Sequence, residues 1–150
     1  MMKKLMFLFV LIGIGSLFFG NEAAAQDKET ESAKIPLNNY LQGQTTGNPE
    51  FIRKAFHKDA RIMTVRENKI SNLSVEEFAG FFKGISADDE VQRKRKIESL
   101  DVSGNAAIAK ITLDYPTVKF TDYMSLLKID GEWKIVNKSF YVEPKQPKQK

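Results

Sequence analysis

The stretch Thr121–Val142 reads TDYMSLLKIDGEWKIVNKSFYV, and its alternation decides the fold. Two alternating runs flank Asp130-Gly131, the dipeptide that supplies the positive φ of a tight hairpin turn. The first run puts Tyr123, Ser125, Leu127 and Ile129 on one face and Asp122, Met124, Leu126 and Lys128 on the other. The return strand carries Trp133, Ile135, Val136 and Phe140, with Lys134 and Lys138 between them. Helices can cover only one flank of such a hairpin, so it is expected to be the wall on which upstream helices pack.

Upstream of the hairpin the chain reads as strand from Val91. Arg93–Val102 and Ala106–Tyr115 are two strands joined at Ser103-Gly104-Asn105, and Pro116 breaks the second. Before them lie three helical segments. Pro36 suits a first helical position, with Leu37, Tyr40, Leu41 and Gln44 on one face. Asn48-Pro49-Glu50 is a second helix start, with cap, proline and acid in order. A short strand follows at Arg61–Glu67. Ser74-Val75-Glu76-Glu77 is a capping box ahead of Val75, Phe78, Ala79 and Phe82. The expected architecture is α+β: a cone-shaped roll of three N-terminal helices packed on a curved, mostly antiparallel sheet, with a hollow between the layers.

The flanks have a different character. Lys3-Lys4, an apolar run from Leu5 to Gly20 and Ala23-Ala24-Ala25 form the three zones of a signal peptide, residues 1–25, with cleavage before Gln26. The apolar run is 16 residues, short of the roughly 20 a spanning helix needs. Residues 26–34, QDKETESAK, read as a flexible arm, and 143–150, EPKQPKQK, as a disordered tail. Residues 35–142 form the single domain. The expectation is a periplasmic or secreted bacterial protein with no membrane association after cleavage. Absence of cysteine excludes disulfides, thiolate metal sites and a lipoprotein anchor. The net charge of +4 is too small to argue for nucleic acid, and Arg93-Lys94-Arg95-Lys96 splits two and two across a strand. No metal and no cofactor are implied.

The element order, with YLQGQTTGNPEFIRKAFHKDARI at the front and DYMSLLKIDGEWKIVNKSF at the back, resembles the nuclear transport factor two-like (SnoaL-like) superfamily. Within it the chain is most similar to the exported bacterial family named "putative lumazine-binding". The resemblance implies a small-molecule pocket between helices and sheet. Steroid isomerases of the superfamily offer a sharper comparison. Tyr40, Gly47 and Asp59-Ala60 match their pattern in step, but their proton-shuttling carboxylate falls on Thr64 and their hydrogen-bonding acid on Ser125. That comparison implies the scaffold without the isomerase's proton-transfer machinery.

The residues expected to line the pocket are Tyr40, Thr64, Phe82, Tyr123, Ser125 and Phe140, a set suited to a flat ligand with polar edges. No catalytic residue is assigned, and the first reading is an exported binding protein without chemistry of its own. The alternative is an isomerase- or dehydratase-type enzyme using Tyr40 with Asp114 or Asp122, which requires one acid to point into the cavity. His57, the only histidine, is read as structural. A homodimer is expected through the outer sheet face, with Met63, Met124 and Leu126 as its apolar surface.

Overall fold

Six strands hydrogen-bond in the order β2-β1-β6-β5-β4-β3, and three helices cover one face. This arrangement is a computed structural model that describes residues 16–84 and 87–146. The elements are α1 (Ser16–Thr46), α2 (Pro49–Ala55), β1 (Phe56–Arg66), β2 (Lys69–Ser74), α3 (Val75–Ala79), β3 (Lys94–Ser103), β4 (Ala106–Asp114), β5 (Val118–Ile129) and β6 (Glu132–Pro144). Every neighbouring pair is antiparallel except β1 and β6. The α+β class, the helices and the mostly antiparallel sheet stand as expected from the sequence.

The local signals act where they were read. Asn48 Oδ1 accepts from Glu50 N at 2.9 Å and caps α2. Ser74 and Glu77 form the reciprocal capping box of α3. Asp130 and Gly131 take φ of 51° and 85°, so the β5–β6 turn has the two left-handed residues of a primed hairpin. α1 ends at Gly47, whose N–H reaches Gly43 O at 2.9 Å with φ of 65°.

Two segments differ from expectation. α1 runs straight through Pro36, which is fully buried, instead of starting there. Proline forfeits one helical hydrogen bond. The helix persists because Ala33, Leu37 and Tyr40 are all fully buried below it, and full burial of a large apolar side chain contributes about 1.5–3 kcal/mol. Residues 26–34 belong to the same helix and dock on the sheet. Gln26 Nε2 donates to Val102 O at 2.8 Å, and Glu29 pairs with Lys128 Nζ at 2.6 Å and accepts from Trp133 Nε1 at 3.2 Å. Alternating acids and lysines looked like a solvated arm; what orders them is the sheet beneath. At the other end, β6 carries Glu143 and Pro144, and residues 147–150 lie outside the described residues.

The inner face of the sheet contributes Ile62, Ile111, Leu113, Met124, Leu126, Trp133 and Ile135 to the core. This reverses the expected facing of β5. The alternation is as read, but Met124 and Leu126 point into the core, while Tyr123 is 52% exposed and Ser125 is exposed. A second shift lies in β6. Ser125 pairs with Asn137 and Leu126 with Ile135, which leaves Val136 as an extra residue in a bulge. Past the bulge the inward phase moves by one, and Lys138 points inward where strict alternation from Ile135 would point it out.

Candidate functional site

Under α1 and α3 the sheet leaves a pocket of about 450 Å³, within the range of small-molecule sites. Phe78, Phe82, Phe120 and Phe140 with Leu73 and Leu113 form its walls. Phe78 and Phe82 meet edge to face at 5.3 Å, and Phe78 stacks against Tyr40 at 6.5 Å. The mouth carries Arg66, Lys83 and Arg93, and no carboxylate among the described residues lines the pocket. Arg93 is paired with Asp89 at 2.7 Å and lies over the Tyr115 ring at 4.2 Å.

At the deep end sits a buried polar cluster built from three elements. Asp122 of β5 is 0% exposed and Lys138 of β6 is 3% exposed. The Lys138 ammonium donates to Asp122 Oδ1 at 2.8 Å and to the Tyr40 oxygen at 3.2 Å. The Tyr40 hydroxyl of α1 donates to Asp122 Oδ2 at 2.6 Å. Gln44 Nε2, one turn along α1, donates to Tyr40 at 3.1 Å, and Gln44 Oε1 accepts from Tyr115 at 3.1 Å. Arg95 closes the chain, donating to Tyr115 at 3.1 Å and forming a two-pronged pair with Glu90 at 2.5 and 2.8 Å. No buried side-chain polar atom among the described residues lacks a partner, as burial of such groups demands.

Burial pushes the Lys138 ammonium below its ordinary value, against the opposing pull of the Asp122 carboxylate. Burial also raises Tyr40 well above the usual phenol range, and the negative charge of Asp122 adds to it. Tyr40 is therefore held as a neutral hydrogen-bond donor. Two of the three N–H directions of the ammonium meet oxygens. The amine also lies 4.3 Å from the centroid of Phe140, and Lys138 lines the pocket.

The residues expected from the sequence divide. Tyr40, Phe82 and Phe140 line the pocket. Thr64 shares the inner face, but its hydroxyl donates to Phe140 O at 2.8 Å and is spent there. Tyr123 and Ser125 lie on the outer face because β5 presents its other side to the core. The same inversion moves Met124 and Leu126 from the expected dimer face into the core; Ile108, Tyr123, Leu127 and Tyr141 are exposed instead. Of the two acids named for catalysis, Asp114 is ion-paired with Lys145 at the surface, which holds its carboxyl below the usual range. Asp122 is the acid that reaches Tyr40. The acid beside the tyrosine thus stands three positions before Ser125 and on the opposite face. His57 accepts from Asp59 N at 3.3 Å and lies outside the pocket.

Lys138 was missed altogether. The sequence reading set it only between the apolar residues of the return strand, and the bulge at Val136 is what turns it in. A five-residue run of VNKSF, with no apolar residue between Val136 and Phe140, was the one available hint that regular alternation fails there.

A family profile described as "Putative lumazine-binding" matches residues 28–141. Among solved structures, the chain is similar to a nuclear transport factor two-like protein of unknown function from Shewanella baltica OS155, with 26% identity and a TM-score of 0.71. The alignment covers 79% of this chain and 96% of that one. A similar protein of unknown function from Methylobacillus flagellatus KT shares 28% identity with a TM-score of 0.67, over 77% of this chain and 93% of the other. A curated relative from a Cladobotryum species, named aldolase FrzH, is 23% identical over 108 residues, which span 71% of this chain and 85% of the relative.

Proposed function

Because the chain belongs to the family described as "Putative lumazine-binding", we propose that it binds a flat, largely apolar small molecule that carries an acidic group. The observation that carries this reading is the pocket's polarity gradient. Its walls are aromatic and aliphatic, its mouth is cationic with no lining carboxylate among the described residues, and its deep end presents Lys138 and Tyr40. None of the ion pairs among the described residues includes Arg66 or Lys83. An apolar body fills the walls, an acid group meets Arg66 and Lys83, and a carbonyl or ring nitrogen accepts at the deep end.

A second reading, an enzyme using Tyr40 with Asp122, is favoured by one observation: an acid does reach the pocket's tyrosine, at 2.6 Å. The aldolase name of the Cladobotryum relative points the same way. Export belongs to the same proposal. Residues 24–28 are exposed and Gln26 makes a hydrogen bond from α1 to the sheet, so cleavage before Gln26 keeps that contact. Among the described residues no helix is long and apolar enough to cross a membrane. Self-association through the outer sheet face is likewise a proposal, with Ile108, Tyr123, Leu127 and Tyr141 as its surface.

The test is titration of isotope-labelled protein with lumazine and with 2-naphthoate, followed by amide chemical shifts. Saturable shifts centred on Tyr40, Leu113 and Phe140 are expected. Shifts elsewhere, or none at millimolar probe, overturn the reading.

A further inference from the structure

We propose that Lys138 is an imine-forming amine, and that the pocket takes an aldehyde or ketone that carries an acid group. This rests on the reading of the pocket as a small-molecule site and adds a covalent step to it.

The argument begins with cost. A lysine 3% exposed against a carboxylate 0% exposed is an expensive way to hold a sheet together, since a buried ion pair contributes little net stability over well-packed apolar residues. The pair also sits at a special place. It lies at the deep end of an apolar pocket, and a bulge in β6 is spent on turning the lysine toward it. Lysines used as nucleophiles are placed in this way, desolvated in an apolar pocket so that the neutral amine is accessible near neutral pH. The lowered proton affinity of Lys138 agrees with that placement.

The neighbours supply the remaining parts. Asp122 Oδ1, 2.8 Å from Nζ, is placed to take the ammonium proton. The free amine pair then attacks the carbonyl carbon, and a C–N bond forms as the C=O π pair moves to oxygen. Nitrogen loses a proton and the oxygen gains one, through Tyr40 and Asp122, to give the carbinolamine. The proton held by Asp122 passes through the Tyr40 hydroxyl to the carbinolamine hydroxyl, the C–O bond breaks, and water leaves. The product is an iminium on Lys138 beside the Asp122 carboxylate, so charge and atoms balance with one water released. Tyr40, kept un-ionised by burial, takes a proton from Asp122 for each one it passes on. The cations at the mouth explain why the carbonyl compound would carry an acid: Arg66 and Lys83 line a pocket with no carboxylate among the described residues.

The experiment uses 6-formyl-2-naphthoate as probe, with sodium cyanoborohydride as the trap and peptide mass spectrometry as the readout. Trapping adds the aldehyde less one oxygen to the reacting lysine. Lys138 is expected to label roughly tenfold faster than Lys58, whose side chain is 82% exposed, and 2-naphthoate is expected to slow Lys138 alone. Lys138→Arg keeps a cation beside Asp122 and cannot form the imine, so its label is expected to vanish while thermal melting confirms the fold. Labelling spread over surface lysines, with Lys138 no faster than Lys58, overturns the proposal. Amide shifts with 2-naphthoate on the same sample separate the two readings. Shifts without Lys138 labelling leave a binding protein and refute the amine chemistry; neither shifts nor labelling refutes both.

Discussion

Replacing Asp122 by Asn leaves Lys138 without its counter-ion at 3% exposure, and the loss can be bounded from the geometry. At a separation of 2.8 Å the gross attraction is on the order of 6 kcal/mol for an effective dielectric of about 20. Desolvation of the two ions offsets much of this, and removal of one partner from such a pair costs about 3–5 kcal/mol because the other charge stays buried. The same substitution removes the charged acceptor of the Tyr40 hydroxyl. For a domain of this size, at roughly 4 °C per kcal/mol, the melting temperature should fall by about 12–20 °C. Lys138→Met strands the carboxylate instead, with Tyr40 as its remaining donor, and should cost somewhat less. The double variant Asp122→Asn/Lys138→Met removes both charges and keeps an acceptor for Tyr40, so most of the loss should return. The assay is urea unfolding followed by Trp133 fluorescence, which is clean because Trp133 is the only tryptophan and is buried. A coupling of at least about 2 kcal/mol is expected from the cycle. Coupling below about 0.5 kcal/mol, with the double variant as unstable as the sum of the singles, would refute the buried pair.

Burial holds Lys138 below its reference value of 10.5, so below that pH the unfolded chain binds the extra proton. Stability should therefore gain with rising pH between the lowered value and 10.5, and Lys138→Met should flatten that gain, as read by urea midpoints at two alkaline pH values. Gly43 of α1 faces Ile52 so closely that an added Cβ would lie 2.6 Å from Ile52 Cδ1. Gly43→Val should cost about 1–3 kcal/mol by overpacking the α1–α2 contact, and an unchanged urea midpoint would contradict that close approach. Arg66→Glu should weaken 2-naphthoate binding by about tenfold or more while leaving uncharged lumazine within about twofold; equal loss for both ligands would remove Arg66 from acid recognition. Tyr123→Glu, at the centre of the exposed outer face, should leave melting unchanged but shift any self-association seen by light scattering.

The elements were legible in the sequence because their causes are local. The Asn48-Pro49-Glu50 cap, the Ser74–Glu77 box and the Asp130-Gly131 turn each act within four residues, and each forms where it was read. The strand alternation of β5 was equally local, and its two face sets are as written in the chain. The sequence was silent on which set points inward. Tyr123 and Ser125 suggested a pocket lining, but the register Ile111↔Asp122 and Ala109↔Met124 sends the other set under α1. A period of two residues carries no sign: one step of phase exchanges the faces, and the phase is set by what the neighbouring strand and helix bury.

What only the tertiary structure decided is the cluster at the bottom of the pocket. Tyr40, Asp122 and Lys138 lie 82 and 16 residues apart along the chain. Nothing local makes an aspartate or a lysine an inner-face residue; each alone would be expelled to water by its desolvation cost. Together, with the Tyr40 hydroxyl between them, each satisfies the others and all three can be buried. Composition, capping signals and fold class belong to the sequence by itself, because they depend on short stretches of chain. The site belongs to the fold, because a bulge at Val136 and a helix packed across two strands bring its charges within hydrogen-bonding distance.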